Sequence, residues 1–325
     1  MIVPQYWAEA QLQQREKGKQ LTVRRFGWSD VSQDEAQANA DARVKEAFAR
    51  VLAGEKLPRR DPKIPYNGAT GLPIREEIVG RHGDCIVTRN SYGARCLNTP
   101  NVFFADIDFP EGPALRFTLG VFAILLALAI TVGVLSQSRA LGIGLGFAAL
   151  IGASAISNAL HRALQSMSGG PEKIARGRIA QFLASHPDWN FRLYRTPAGM
   201  RVMATQRTFS PTDPLVTECF DALKTDPIYA TMCRNQQCFR ARISAKPWRI
   251  GISGHMRPRP GVWPVAPDRI GQRSLWIAEY ELAASVYAAC EFIESVGSGK
   301  IHEDVRPVLE LHDESCSVGI GLPLA

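Results

Sequence analysis

Two long apolar runs, at residues 117–135 and 140–156, constrain the fold of this chain most. Neither run contains a charged residue, and only a short polar turn around Gln137, Ser138 and Arg139 separates them. A helix needs about 20 apolar residues to cross roughly 30 Å of hydrocarbon, so the first run is long enough and the second is slightly short. The pattern predicts a transmembrane helical hairpin over residues 113–160. A buried helical pair in a soluble core is the alternative, and two uncharged runs joined by a polar turn favour the membrane.

The distribution of basic residues predicts the orientation of this hairpin. The turn carries only Arg139, whereas five basic residues follow the second run: His161, Arg162, Lys173, Arg176 and Arg178. The positive-inside rule then places both termini in the cytoplasm, with the hairpin in a bacterial inner (plasma) membrane. The N-terminal stretch is polar and lacks the apolar core of a signal peptide. We expect Gly142 and Gly146 to form a small-residue ridge that packs against Gly120, Ala123 and Ala127.

The chain has 325 residues and a net charge of +7, which favours anionic partners: nucleotides, nucleic acid or anionic lipid. Lys and Arg on the cytoplasmic side of a membrane protein would explain the same net positive charge. We weight that explanation somewhat higher. The seven cysteines are scattered and odd in number, which indicates reduced thiols in a cytosolic compartment. Cys233 and Cys238 stand five apart, but they have no second pair or nearby histidine to complete a zinc site.

The regions outside the hairpin predict an α+β protein. We expect a helical segment at 1–56, a linker rich in proline and glycine at 57–81, the first part of a cytoplasmic α+β domain at 82–112, and its remainder at 168–325. Ser32 and Glu35 form a capping box in front of apolar residues at helical spacing, and Gly54 is a reasonable stop.

Alternating apolar residues and turn signals predict the strands. Residues 85–89 and 94–97 flank an Asn-Gly turn, and the strand at 102–108 is expected to share their antiparallel sheet. A helix from Pro171, a hairpin at 191–205, helices within 211–232 and a strand at 238–243 follow. From residue 102 onward, without the membrane hairpin, the order is β-α-β-β-α-β, which is ferredoxin-like. We also expect a last strand at 275–280 and a helix at 283–296.

Asp106 and Asp108 alternate with apolar residues at the end of the strand 102–108, so both carboxylates project from one face. Two such acids can hold Mg²⁺ or Mn²⁺ while substrate phosphates complete the coordination shell. The alternative is that these acids merely cap the turn into Pro110.

The segment from Tyr194 to Val202 resembles the second motif of archaeo-eukaryotic primase-polymerase cores. The resemblance, which covers about residues 101–281 without the hairpin, implies a palm-type domain with Asp106 and Asp108 as metal-binding acids. It assigns Thr196 and Gly199 to a turn that contacts the nucleotide. Arg201 stands where that family has a histidine, and a third acid would be Glu279 or, less well placed, Asp313.

A basic sheet face is the second candidate for binding. Arg240 and Arg242 lie on one side of a strand, and Lys246, Trp248 and Arg249 follow, so this face suits a polyphosphate or a nucleic-acid backbone. Apposition to an anionic leaflet is an equal alternative. The segments 239–242 and 246–249 also resemble those of a group of uncharacterised bacterial membrane proteins, which implies no activity. His255 lies in a proline-rich loop, where a solvated side chain is expected.

These observations leave two hypotheses. The first is a membrane-anchored cytoplasmic domain that binds an anionic, nucleotide-like or phosphate-bearing ligand or acts structurally. In this case the ligand-binding residues would be Thr196, Gly199, Arg201, Arg240, Arg242 and Lys246. The second is a metal-dependent nucleotidyltransferase or primase-like enzyme, with Asp106 and Asp108 as catalytic residues and Mg²⁺ or Mn²⁺ as the cofactor. The expected partners are a lipid bilayer and a nucleotide or nucleic acid, and no oligomeric state is predicted.

Overall fold

A computed structural model describes residues 1–16, 19–62, 72–110 and 112–325. Part of the predicted linker at 57–81, residues 63–71, lies outside these residues. The described chain divides into two compact units. Unit 1 comprises residues 1–107, 183–197 and 201–325, and unit 2 comprises residues 108–182 and 198–200.

The helices and strands alternate along the chain as a mixed α and β fold. The strands are β1 (Tyr6–Glu16), β2 (Lys19–Ser29), β3 (Glu77–His82), β4 (Cys85–Arg89), β5 (Arg95–Thr99), β6 (Phe104–Asp108), β7 (Asn190–Thr196), β8 (Gly199–Ala204), β9 (Phe239–Arg242) and β10 (Glu291–Gly297). The helices are α1 (Gln33–Leu52), α2 (Leu115–Leu135), α3 (Arg139–Met167), α4 (Gly170–Ser185), α5 (Pro214–Leu223), α6 (Pro227–Gln236), α7 (Pro267–Ala284) and α8 (Arg306–Ser315).

The N-terminal segment is a two-stranded hairpin with a helix packed on it. The helix α1 begins as the capping signal predicts, because the Ser32 side chain accepts a hydrogen bond from the Glu35 amide at 3.1 Å. The hairpin of β1 and β2 was not predicted. Gly27 allows its close approach to the helix, since a Cβ there would lie 2.1 Å from the Ala40 nitrogen. Small residues from both elements fill the contact, among them Ala8, Val23, Ala36, Ala40 and Val44.

Two further sheets, each with four strands, complete unit 1. One has the order β3-β4-β5-β9, and the other has the order β10-β7-β8-β6. The predicted hairpin at 85–97 is confirmed, with β4 and β5 antiparallel. Aromatic side chains form part of the core, with the rings of Phe103 and Phe220 5.0 Å apart and those of Phe103 and Phe239 5.5 Å apart.

The predicted pairing of the strands is wrong in two places. Strand β6 does not join β4 and β5 but lies beside β8 in the other sheet. Strand β9, expected as the fourth strand of a ferredoxin-like sheet, instead pairs with β5. The fourth strand beside β6, β7 and β8 is β10, which joins the β7 edge. The α+β class is therefore confirmed, while the ferredoxin-like sheet is not formed by the predicted strands.

The C-terminal assignments are also wrong. Residues 275–280, predicted as a strand, lie within helix α7, and part of the predicted helix at 283–296 is strand β10. The stretch 275–280 is too short for its apolar pattern to distinguish the two-residue period of a strand from the period of about 3.6 residues of a helix. The helix at Pro171, the hairpin at 191–205 and the helices interrupted at Asp226 are confirmed as α4, β7–β8 and α5–α6.

Unit 2 contains two helices that are long and apolar enough to cross a membrane, α2 and α3. The 21 residues of α2 span about 31 Å, which matches the hydrocarbon core of a bilayer. Only 11% of the most apolar stretch of α2 and 17% of that of α3 is buried. Ser138 caps α3 by accepting from the Leu141 amide.

The two helices pack through small residues that include Gly142 of the predicted ridge, although its partners on α2 are not the predicted ones. A Cβ on Gly133 would lie 2.8 Å from the Gly142 Cα, so the two backbones touch there. Further along, the Thr118 and Ser157 hydroxyls are 3.0 Å apart. Gly120, Ala123 and Ala127, predicted to face this ridge, are exposed. The short turn fixes the register of the antiparallel pair and places Gly133 opposite Gly142.

Candidate functional site

Two groups of polar side chains in unit 1 are candidates for function. The first is built around Arg201 on β8, whose side chain is only 1% exposed. Its Nε donates to Oδ1 of Asp106 at 2.8 Å, and its Nη2 donates to Oδ2 at 3.1 Å. The Nη1 group donates to the Arg242 carbonyl at 2.8 Å. The structure therefore brings Asp106 and Arg201 together as a bidentate ion pair.

This pairing sets the charge of Asp106. The protein around Asp106 disfavours its charged form and would raise its pKa, but the attraction and hydrogen bonds of Arg201 outweigh this, so that the pKa is lowered. The carboxylate remains 41% exposed. Asp106 is thus an ionised acid whose two oxygens are already used by a guanidinium group.

A histidine and a second acid extend the Arg201 group. The Nε2 atom of His312 lies 3.3 Å from Arg201 Nη1, and its Nδ1 lies 2.9 Å from Oδ1 of Asp313. Arg192 in turn donates to Asp313 at 2.8 Å. Burial alone would lower the pKa of His312. Its contacts with Asp313 and Cys290 have a larger, opposite effect, so the pKa is raised. His312 and Asp313 therefore form a hydrogen-bonded pair.

Two cysteines face the same histidine. The Cys290 sulfur lies 3.9 Å from His312 Nε2, and one ligand atom from each of Cys290, His312 and Cys316 lies within 4.8 Å of the other two. All three side chains are buried. A hydrogen bond with Cys316 lowers the pKa of Cys290 despite its burial, and the neighbouring His312 and Arg201 act in the same direction. These three residues are able to hold a metal ion.

The remaining residues of the predicted acid site are dispersed. Asp108 is exposed at the end of β6, and Glu279 is exposed on α7. Thr196 and Gly199 end β7 and begin β8, so they do form the predicted turn. Asp313, the weaker candidate for a third acid, faces His312 and Arg192 instead. A metal role for Asp106 and Asp108 stays a prediction, and the Arg201 pair weighs against it.

The predicted basic face is only partly available. Arg240 donates to both oxygens of Glu76, at 2.8 and 2.6 Å, and to Asn98. The cavity beside Arg240 and Glu76 measures about 50 Å³, far below the roughly 300 Å³ of small-molecule sites. Lys246 lies 5.4 Å from the centre of the Trp248 ring, and Arg242 is half-buried. His255 is exposed, as predicted.

The second group is a cavity of about 310 Å³ that the sequence did not predict. Three arginines on different segments line it: Arg24 on β2, Arg60 after α1 and Arg75 before β3. Two acids, Glu9 and Asp61, and the apolar residues Phe26, Pro260 and Val262 complete the lining. We call it the arginine cavity.

Arg75 is the unusual member of this lining because it is buried and has no counter-ion among the residues that the structure describes. It is 8% exposed, and its Nε donates to the Trp263 carbonyl at 3.0 Å. Its guanidinium stacks on the Phe26 ring at 3.8 Å. In the part of the chain that the structure describes, no carboxylate lies within 4.0 Å of it. Burial lowers the pKa of Arg75 to about 10, and the more distant Glu9 and Asp61 offset this only in part.

The acids of the arginine cavity already contact arginines other than Arg75. Asp61 contacts Arg25 at 3.6 Å and Arg43 at 3.4 Å, and Glu9 lies 3.8 Å from Arg24. Three arginines therefore contact these two carboxylates, and the lining residues Arg60 and Arg75 add further positive charge. The excess positive charge attracts a small anion.

Sequence reasoning missed these residues because they come together only through the tertiary fold. For the cysteine–histidine group one local signal existed: His312 and Cys316 are four residues apart, which places them on one face of a helix. The arginine cavity has no such signal, since its three arginines lie on separate segments.

A comparison with known proteins finds no matching family model, and it finds no curated protein and no solved structure with significant similarity to this chain.

Proposed function

We propose that this chain is a membrane-anchored protein whose unit 1 binds a small phosphate-bearing ligand in the arginine cavity. In this proposal the helices α2 and α3 form the anchor, and unit 1 is the cytoplasmic part. The predicted anionic ligand is kept, but its site moves from Arg201 and Arg240 to Arg24, Arg60 and Arg75.

The observation that carries the ligand proposal is the buried charge of Arg75, which has no carboxylate within ion-pair distance among the described residues. Burying a cation without a partner destabilises the folded protein by several kcal/mol. A bound anion would offset this destabilisation. Guanidinium groups bind phosphate oxygens through two parallel hydrogen bonds, and the Arg24 and Arg60 side chains add charge at the same cavity. A volume of about 310 Å³ suits a ligand no larger than a mononucleotide.

Arg75→Met is the variant that tests this binding. Purified protein in detergent would be titrated calorimetrically at low salt with pyrophosphate and with adenosine monophosphate. The wild type is expected to bind at least one of them, and Arg75→Met is expected to bind it at least about tenfold more weakly, because a hydrogen bond to a charged group contributes about 1.5–3 kcal/mol.

Stability distinguishes a binding role of Arg75 from a structural one. If Arg75 is kept for a ligand, replacing it with an apolar side chain of similar length leaves the unliganded protein equally stable or more stable. Arg269→Met is the control, since this arginine is exposed on α7 and 59% of its side chain is accessible. No binding of either ligand by the wild type, or equal binding by Arg75→Met, would contradict the proposal.

The exposed apolar surface of α2 and α3 supports the anchor. Leu119, Ile124, Leu128, Ile143, Leu150 and Ile151 are all more than half exposed. Their aqueous exposure would be unfavourable at about 25 cal/mol per Å², whereas contact with lipid removes this cost. The polar residues Arg116, His161 and Arg162 flank the apolar band near one end, and Arg139 flanks it at the turn.

Cell fractionation tests the anchor. The protein is expected in the membrane pellet after alkaline carbonate treatment and in solution after detergent. Replacing residues 113–160 with a short flexible linker is expected to release the protein into the soluble fraction. Recovery of the intact chain in the soluble fraction without detergent would refute the anchor.

The nucleotidyltransferase hypothesis has no comparable support. A divalent cation at Asp106 would lie against the guanidinium of Arg201, and the two positive charges repel each other at that distance.

A further inference from the structure

We propose that Cys290, His312 and Cys316 bind one Zn²⁺ ion inside unit 1, with the two sulfur atoms and His312 Nε2 as ligands. This site is independent of the arginine cavity and of the anchor, so it stands or falls separately from the proposed function.

The distances between the donor atoms fit a zinc ion. Zinc–sulfur bonds of about 2.3 Å and zinc–nitrogen bonds of about 2.0 Å at tetrahedral angles place neighbouring ligand atoms about 3.6–3.8 Å apart. The Cys290 sulfur and His312 Nε2 are 3.9 Å apart, and the three donor atoms all lie within 4.8 Å of one another. Shifts of a few tenths of an ångström to about one ångström bring all three into coordination.

The backbone holds the donors in this arrangement. His312 lies in the last turn of α8 and Cys316 follows it one turn later, so both side chains lie on the same side of the helix end. Cys290 immediately precedes β10. The Ala289 amide donates to the Cys316 carbonyl at 3.1 Å, which ties the start of this strand to the end of the helix.

The orientation of His312 matches that of a zinc ligand. Its Nδ1 faces the Asp313 carboxylate at 2.9 Å, so the carboxylate holds the imidazole proton there and leaves the Nε2 lone pair towards the cysteines. Zinc-bound histidines carry such a carboxylate or carbonyl partner on the other nitrogen. Arg192 fixes Asp313 in turn at 2.8 Å.

Arg201 is compatible with the ion. Its Nη1 lies 3.3 Å from Nε2 but only 2.8 Å from the Arg242 carbonyl, which remains its acceptor when the histidine turns to zinc. Two thiolates and one zinc ion have no net charge, so the buried guanidinium keeps its pairing with Asp106. The described residues give three ligands, and a water molecule completes the tetrahedron.

The nearly complete burial of the ligands indicates a structural role. Cys290 and His312 are 0% exposed and Cys316 is 1% exposed. A zinc ion there links α8 to the segment before β10, and its binding energy adds to folding stability.

Cobalt substitution tests the site in the full-length protein, purified in detergent under reducing, metal-free conditions. One Co²⁺ per chain is expected, with sulfur-to-cobalt charge-transfer absorption that equimolar Zn²⁺ abolishes. Cys290→Ser is expected to lose this absorption. Cys219→Ser is the matched control, because Cys219 is equally buried on α5 and outside the group. Asp313→Asn is expected to weaken Co²⁺ binding about 10- to 100-fold while the absorption band persists at saturation.

A second readout does not depend on the folding of variants. The wild-type protein is expected to unfold at a higher temperature with one equivalent of Zn²⁺ than after chelation. Absence of thiolate absorption with Co²⁺, an unchanged unfolding temperature, or a Cys290–Cys316 disulfide that persists in reductant would overturn the proposal.

Discussion

Two buried arginines in unit 1 have opposite environments. Arg201 is 1% exposed and has a carboxylate on two of its nitrogens, whereas Arg75 is 8% exposed and has a carbonyl and an aromatic ring. Breaking a buried ion pair destabilises a protein strongly, because it leaves an uncompensated charge. We therefore expect Arg201 to stabilise the fold, whereas the proposed function assigns Arg75 to a ligand.

Asp106→Ala is expected to lower the free energy of unfolding by about 2 kcal/mol, measured by urea denaturation. The value lies below the 3–5 kcal/mol typical of fully buried pairs because water reaches the partly exposed carboxylate site. A vacant metal site would behave in the opposite way, since losing one of two neighbouring acids would relieve repulsion. Glu303→Ala, which removes an exposed carboxylate, is expected to change stability by less than about 0.5 kcal/mol.

The same ion pair predicts how stability depends on pH. The folded state lowers the pKa of Asp106, so its charge stabilises the protein above the unfolded pKa of about 4. This contribution is lost as the pH falls through the lower, folded pKa. Asp106→Asn is expected to reduce the acid-side slope of unfolding free energy against pH between about 4 and 2. An unchanged slope would show that Arg201 does not hold this charge.

At the scale of elements, several helix starts followed local signals, whereas the pairing of distant strands did not. Ser32, Pro171 and Asp226 mark helix starts through side chains or ring geometry that act within one turn, so their positions were correctly predicted. The partners of β6 and β9 depend on contacts over about 100 residues, which no local pattern encodes. The candidate sites show the same division. The sequence predicted Asp106 and Arg201 as site residues, whereas Cys290 and Arg75 are recognisable only from the tertiary fold.

Gly142→Leu tests the packing of α2 against α3. A Cβ at Gly142 would lie 3.2 Å from the Gly133 Cα, so a larger side chain separates the helices. Gly144→Leu is the matched control on the same helix, because nothing lies within 4 Å of its Cβ position. We expect Gly142→Leu, but not Gly144→Leu, to lower the temperature of thermal aggregation in detergent. Equal effects would contradict the observed register.

At the scale of the whole molecule, the chain joins a charged, folded unit to an apolar helix pair. Unit 1 buries large aromatic residues such as Phe103, Trp189 and Tyr194, while α2 and α3 expose Leu and Ile along most of their lengths. The net charge of +7 is compatible with a surface near anionic lipid head groups. The proposed anchor predicts that both ends of the hairpin lie on one side of the bilayer.

Site-specific labelling in intact cells tests this topology most directly. A cysteine in the turn, Ser136→Cys, and one in unit 1, Asp30→Cys, are both at exposed positions, whereas all seven native cysteines are buried. A membrane-impermeant maleimide added outside is expected to label Ser136→Cys and not Asp30→Cys, with both labelled after the membrane is permeabilised. Labelling of Asp30→Cys from outside, or protection of both sites, would contradict a hairpin that spans the membrane from a cytoplasmic unit.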